Sequence, residues 1–458
     1  MPRFDAIIIG TGQAGPALAR RLVGARRKVA VIERKHFGGT CVNNGCTPTK
    51  AMVASAYAAH VARRHADYGV TIGGPIRVDM KAVKARKDAI VAPSRNGVER
   101  SLKTLEGCTV FQGHGTFVGP KTVKVGETVL EAQQIFINVG GRPSVPPVPG
   151  LDQVPYLTSE SMLDVDFLPE HLVVVGGSYI GLEFAQMFRR FGSQVTVIEM
   201  APRLIAREDE DVSMCIADVL EAEGIALRLN ATCLSIANDE NGIAVNVDCT
   251  QGALKVVGSH LLFAVGRRPS TDGLGLDMAG IATDARGFIT VDDQLRTNVP
   301  GVYALGDCNG RGAFTHTSYN DFEIVAANML DGEDRRVTDR LPAYALYTDP
   351  PLGRCGMTEM EVRKSGKPAL IATMPMEDVS RAYEKGETNG FMKLLIDKET
   401  MQFLGASFFG LNGDEIVQAV LDQMYAKAPA TVMARAMHIH PTVMELLPTM
   451  LQELRDLS

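Results

Sequence analysis

The 458-residue chain has no run of eighteen apolar residues, which excludes a membrane-spanning helix. It also lacks an excess of positive charge: 47 Lys and Arg stand against 53 Asp and Glu, a net charge of −6. Neither nucleic acid nor an anionic membrane surface is therefore expected as a partner. The one basic cluster, Arg20, Arg21, Arg26, Arg27 and Lys28, reads as a solvated helix face. MPRFDAIIIG enters an apolar strand at once, so no cleavable leader and a cytoplasmic location are expected. The eight cysteines are scattered, and only Cys41 and Cys46 lie close together. In a reducing compartment such a pair points to catalysis or metal binding rather than to a structural staple.

What is present is an ordinary globular mix, 45% hydrophobic and 22% charged, on a chain long enough for two to four domains. The first clear unit is DAIIIGTGQAG. An apolar strand runs into Gly10-Thr-Gly12-Gln-Ala-Gly15, a helix continues to about Gly24, and a second strand, KVAVIE, closes on Glu33. That order defines a dinucleotide-binding unit. Gly10 permits the tight turn, Gly12 lets backbone approach a pyrophosphate, and Gly15 lets helix and strand pack closely. The helix N-terminus faces the phosphates, and Glu33 is placed for ribose hydroxyls. The unit recurs in LVVVGGSYIG, a following helix and QVTVIE. Gly10 and Glu33 are 23 residues apart, as are Gly176 and Glu199, so two nucleotide sites are expected. In the second loop Ser178 replaces the middle glycine, putting a small side chain where only backbone usually sits.

A third strand signal, VYALGD, ends on Asp307; on its own that residue reads as an ordinary turn aspartate. INVGGRPSVPPVPG and FAVGRRPST match each other and are expected as crossings between domains. From about residue 340 alternating strands and a helix from about Asp414 read as a separate α+β domain.

GGTCVNNGCTPTK, residues 38–50, carries the chemistry. Four residues separate Cys41 from Cys46, and a helix follows. No further Cys or His ligands follow at short spacing, so no metal site is expected. A redox dithiol needs two bridgeable cysteines and one stabilised thiolate, and a helix N-terminus supplies that stabilisation. Thiol exchange also needs an acid/base. His438, His440 and Glu445 form a cluster near the C-terminus, yet a terminal histidine serves as readily as a surface or core residue, and the residues alone leave it unassigned.

These motifs together resemble the flavin-dependent pyridine-nucleotide disulfide oxidoreductases: glutathione reductase, dihydrolipoamide dehydrogenase and mercuric reductase. The likeness runs from end to end. It implies an α/β fold with two Rossmann-like dinucleotide-binding domains, for FAD and NAD(P), and a C-terminal α+β dimerisation domain. The expected divisions are 1–148 and 269–335 for FAD, 149–268 for NAD(P) and 340–458 for the interface. By the same resemblance Cys46 is the charge-transfer thiolate beside the flavin and Cys41 the interchange thiol. Lys50 and Glu183 pair beside the flavin ring, and Tyr179 covers its nicotinamide side. His440 and Glu445 act across a homodimer interface as acid/base and orienting carboxylate. Gly10, Gly12, Gly15, Glu33, Gly39, Thr40, Gly115, Gly140 and Asp307 are taken as FAD positions. Gly176, Gly181, Glu199 and Gly266 are taken with Tyr179 for the nicotinamide nucleotide.

Glu199 accepts hydrogen bonds from a free 2′-hydroxyl and repels a 2′-phosphate, which favours NADH over NADPH, with Arg203 nearby as the opposing feature. The substrate is expected to be a small disulfide or dithiol, because His440 is retained and metal reduction needs no acid/base. Against a mercuric reductase, the chain ends LQELRDLS without a cysteine pair. The alternatives are a metal-ion reductase using the same thiols, and a flavoprotein subunit without activity of its own. Met444 reads as a packing residue, with a soft metal ligand as the sharper alternative. His316 reads as structural.

Overall fold

The structure, a computed structural model, describes residues 1–248 and 255–457, and only the backbone of residues 232–234 and 248. Cys249 and the side chain of Cys233 therefore lie outside the description. Strand Arg3–Ile9 sits in the middle of a parallel sheet, between Val29–Glu33 and Thr128–Ile137, with Cys108–Gln112 outermost. Its run of Ile7, Ile8 and Ile9 is buried on both faces, as an apolar strand in a parallel sheet must be. Each such side chain contributes about 1.5–3 kcal/mol through burial. Helix Ala14–Gly24 covers one face with Leu18 and Leu22 and leaves Arg20, Arg21, Arg26 and Arg27 in solvent, as the sequence predicted.

The arrangement is then repeated. Strand His171–Val175 lies between Gln194–Ile198 and His260–Phe263, with Ala226–Arg228 outermost, all parallel. Each unit also has three antiparallel strands: Gly115–Gly119, Thr122–Val125 and Thr128–Ile137 continue the first sheet, whereas Thr232–Asp239, Gly242–Asp248 and Lys255–Gly258 form a separate sheet in the second unit. The chain leaves the first sheet and returns to it through one ribbon. Gly141–Pro143 and Arg267–Pro269 pair antiparallel, bringing together the two Gly-Arg segments. Val302–Ala304 then adds to the first sheet alongside Ile135–Ile137.

The C-terminal part is a six-stranded antiparallel sheet centred on Leu352–Gly356, Phe403–Phe409 and Phe391–Asp397, with helix Gly413–Tyr425 against it. Buried ions fasten it to the second nucleotide unit. Lys393, only 1% exposed at its side chain, bridges Asp209, Asp211 and Glu359. Met444 packs against the core of this layer, which matches the packing reading.

Candidate active site

The two glycine loops are superposable at the level of single contacts. Gly10 has φ +103°, and a Cβ there would strike the carbonyl of Asn138; Gly176 has φ +117°, and a Cβ there would strike the carbonyl of Ala264. Gly15 and Gly181 lie against the carbonyls of Gly10 and Gly176, so they seat helix on strand and do not line the cleft. Glu33 accepts hydrogen bonds from the backbone of Thr11 (3.0 Å) and Lys35 (2.8 Å); Glu199 does the same for Gly177 (2.6 Å) and Ala201 (2.8 Å). Each acid thus fixes its own glycine loop at the end of its strand while lining the cleft. Ser178 is exposed to that cleft at the N-terminus of helix Tyr179–Phe191.

One continuous cleft of about 2450 Å³ joins both loops. Gly10, Gly12, Glu33, Gly39, Thr40, Gly115, Gly140 and Asp307 line it, as do Gly176, Ser178, Tyr179, Glu199 and Gly266. Cys41, Cys46, Lys50 and Glu183 line the same cleft.

Cys46 begins the 18-residue helix Cys46–Arg63, so its sulfur lies at the positive end of the helix dipole. The Cys41 thiol donates to it, the Thr315 hydroxyl stands 3.2 Å away, and the Lys50 ammonium adds its charge. Against the opposing effect of burial, these lower the Cys46 thiol to about 6. Cys41, hydrogen-bonded to that sulfur and partly buried, is driven in the opposite direction. The pair is therefore polarised, with Cys46 the more acidic of the two thiols.

Lys50 is fixed by both oxygens of Glu183, at 2.7 and 2.9 Å, and lies over the Tyr347 ring at 4.3 Å. The Tyr347 backbone amide donates to Glu183 at 3.1 Å, tying the pair to the C-terminal domain. At the end of the first sheet, burial raises the Asp307 carboxyl, and Arg267 opposes that shift from 3.5 Å.

Three features fit a flavin dinucleotide. The Gly10 turn has no room for a side chain, and a Cβ on Gly39 would stand 2.7 Å from Gly12 Cα. Asn138 Nδ2 is buried beside this cradle without a hydrogen-bond partner among the described residues. Asp307 offers a carboxylate at the far end of the first sheet.

Tyr179 lies edge-on to Phe314 and Tyr344, and burial with the nearby Glu208 pushes its phenol up to about 12. His440 and Glu445 do not join this group. His440 Nδ1 bonds both oxygens of Glu445, at 3.0 and 3.1 Å, and the ring is 77% exposed outside the cleft. Nδ1 donates to the carboxylate, which leaves Nε2 outward. His316 accords with its structural reading: it bonds the Ala343 carbonyl and stacks on Phe314.

Sequence reasoning missed Thr315, Arg267, Asn138, Tyr347 and Arg207. Arg267 follows Gly266 in the crossing ribbon and reaches Gly141, Thr40 and Asp307 together. Arg203, weighed as the phosphate-favouring residue, turns instead to the carbonyls of Ala206 and Glu208, and it is Arg207 that lines the cleft. Thr315, Arg267 and Asn138 adjoin residues or segments already singled out, which was their one available signal; Tyr347 and Arg207 had none.

Two dinucleotide folds meeting at a polarised dithiol define an oxidoreductase that moves electrons between a nucleotide cofactor and sulfur. Residues 4–321 match the pyridine nucleotide-disulphide oxidoreductase family, and residues 342–451 match the dimerisation domain of that family. The chain belongs to this family. FAD and a pyridine nucleotide are its cofactors, and the C-terminal domain supports a homodimer. The chain is 36% identical to the probable pyridine nucleotide-disulfide oxidoreductase RclA of Escherichia coli (strain K12), over 98% of each chain. It is 33% identical to a mercuric reductase of Streptomyces lividans, over 97% of this chain and 94% of that one. It is 32% identical to a dihydrolipoyl dehydrogenase of Chlamydia muridarum, over 97% and 95%. Among solved structures, the Cu(II) complex of the HOCl-induced flavoprotein disulfide reductase RclA from Escherichia coli superposes with a TM-score of 0.90 at 34% identity. That match covers 99% of this chain and 100% of the other. Among the described residues no helix is long and apolar enough to cross a membrane.

Proposed function

We propose that this flavoprotein carries electrons from NADH to a small disulfide through Cys41 and Cys46, with His440 and Glu445 of one chain serving the thiols of the other. The observation that carries the reading is the placing of Cys46 at the N-terminus of its helix, 3.2 Å from the Thr315 hydroxyl, with Cys41 and the Lys50–Glu183 pair in the same cleft as both glycine loops. When bound, FAD supplies two-electron transfer between nicotinamide and sulfur. Gly10, Gly12 and Gly39 would hold its pyrophosphate, Glu33 its ribose and Asp307 its ribityl chain.

The remaining chemistry belongs to the protein. Cys46 is held anionic by the Cys41 thiol, the Thr315 hydroxyl, the Lys50 charge and the helix N-terminus. Cys41, once its proton is taken, attacks a substrate disulfide; one substrate sulfur is joined to Cys41 and the other leaves as a thiol after gaining a proton. Cys46 then attacks Cys41 Sγ, which reforms the protein disulfide and releases the second thiol. Each release needs a proton, and His440 Nε2, with Nδ1 held by Glu445, is shaped to take and return it. The outward position of that ring, away from the cleft of its own chain, supports its use by a second subunit. Glu199 supports NADH over NADPH, since its carboxylate lines the cleft and would repel a 2′-phosphate.

Reduction of a metal ion by the same thiols is the second reading, favoured by the mercuric reductase and the Cu(II)-bound RclA among its relatives. His440→Ala separates the two. Glutathione-disulfide or lipoamide turnover is expected to fall about 10²–10⁴-fold, while Cu(II)-dependent NADH oxidation stays within about twofold. Equal losses in both assays remove the acid/base role. Anaerobic titration tests the dithiol itself: the oxidised enzyme takes two equivalents of NADH per chain, and Cys46→Ser about one.

A further inference from the structure

Between the second glycine loop and the C-terminal sheet lies a cluster that the proposed function leaves unused. Phe314 is stacked flat on Tyr344 at 5.7 Å, and Tyr179 meets Tyr344 edge-on at 5.5 Å. The Tyr344 hydroxyl donates to Glu208 Oε1 at 2.5 Å. Glu208 is 0% exposed, and a buried carboxylate is tolerated only with partners. Its charge is answered by Arg354, 1% exposed, whose Nη1 lies 3.8 Å from the second Glu208 oxygen and 3.5 Å from Asp209.

The base of this cluster is rigid. Tyr344 and Arg354 are paired residues on adjacent strands of the C-terminal sheet. Asp209 caps the backbone of Glu359 and Met360 and is bound by Lys393. Glu208 is therefore anchored to the same domain that presents Tyr344. The ring not tied to this base is Tyr179, which lines the cleft beside Phe314 and Tyr344. Nothing in electron transfer to Cys46 calls for a fixed phenol at residue 344, whereas a movable ring at residue 179 does.

We propose that Tyr344 is a latch. Fixed by Glu208 and backed by Phe314, it keeps the Tyr179 ring across the nicotinamide side of the cleft, and a nicotinamide must break that contact to enter. This inference rests on the reading of Tyr179 as the covering ring. The latch opposes only the nicotinamide end of the coenzyme. A nucleotide that lacks the nicotinamide engages the Gly176 loop and Glu199 without moving Tyr179. Weakening the latch raises the population of the open state and with it the affinity for the whole coenzyme alone. Tyr344 acts through Tyr179 and is a positioning residue.

The test measures binding of NAD⁺ and of ADP-ribose to the oxidised holoenzyme by titration calorimetry. If the enzyme proves to prefer the phosphorylated coenzyme, the 2′-phosphorylated pair is used. Tyr344→Phe removes only the hydroxyl and is expected to tighten NAD⁺ about three- to tenfold, the worth of one hydrogen bond, with ADP-ribose unchanged within twofold. Phe314→Leu removes the stack on Tyr344, and with it the edge contact of Phe314 with Tyr179, without touching Glu208; it is expected to act in the same direction, and serves if the first variant does not fold. A latch is overturned if both ligands change equally, or if NAD⁺ binding does not tighten. Tyr179→Ala separates this from failure of the underlying reading. If it leaves the NAD⁺ to ADP-ribose ratio unchanged, Tyr179 is not the cover; if it raises the ratio while the other two variants do not, only the latch fails.

Discussion

Replacing Thr315 by Ala removes one of the donors around the Cys46 sulfur and leaves Cys41, Lys50 and the helix N-terminus in place. A hydrogen bond to an ionised group is worth about 1.5–3 kcal/mol. Sulfur is a diffuse acceptor and this one is open to the cleft, so the lower end applies, about 1.5 kcal/mol, or about one pH unit. The direction follows from which form is held: Thr315 stabilises the thiolate, so its loss raises the thiol from about 6 toward roughly 7. The anion is present above that midpoint and is lost as pH falls through it. The assay is a pH titration of the two-electron-reduced enzyme, following the long-wavelength thiolate-to-flavin absorption. In the parent protein the band should fade with a midpoint near 6, and in Thr315→Ala about one unit higher. Thr315→Ser keeps the hydroxyl and should stay close to the parent. An unchanged midpoint in the Ala variant, or an equal shift in both, would refute the assignment of Thr315 as a donor to Cys46.

Lys50→Met leaves Glu183 buried with the Tyr347 amide as its remaining donor. Breaking one side of this partly buried pair is expected to cost about 1–3 kcal/mol, seen as a lower melting temperature, and to raise the Cys46 midpoint as well. Steady-state kinetics with both coenzymes checks Glu199: NADH should be preferred, and Glu199→Ala should move the ratio of kcat/KM toward NADPH by about tenfold or more. A parent enzyme that favours NADPH would instead assign the phosphate to Arg207, which lines the cleft.

Much of this protein could be read along the chain because the features concerned are local. An apolar strand, a glycine turn and a helix must follow one another within about thirty residues, so the duplicated units, their 23-residue spacing and the dithiol segment were all visible in the sequence. The helix at Cys46 was predictable for the same reason, since it begins at the cysteine itself. Even the ribbon between the two nucleotide units was marked, by the repeated Gly-Arg segments.

Contacts between distant residues were decided only by folding. Thr315 reaches Cys46 across 269 positions, and Arg267 reaches Thr40 across 227, because the first nucleotide unit is interrupted by the second and completed by Val302–Ala304. No periodicity records such a meeting. The buried association of Tyr344, Glu208 and Arg354 depends on how the C-terminal sheet docks against the second unit, and that docking is set by surfaces rather than by spacing. The sequence alone determined which cofactor cradles and which sulfurs the protein possesses. The tertiary structure decided which donors surround the Cys46 sulfur and which rings bear on Tyr179, since both depend on distances that chain order does not encode.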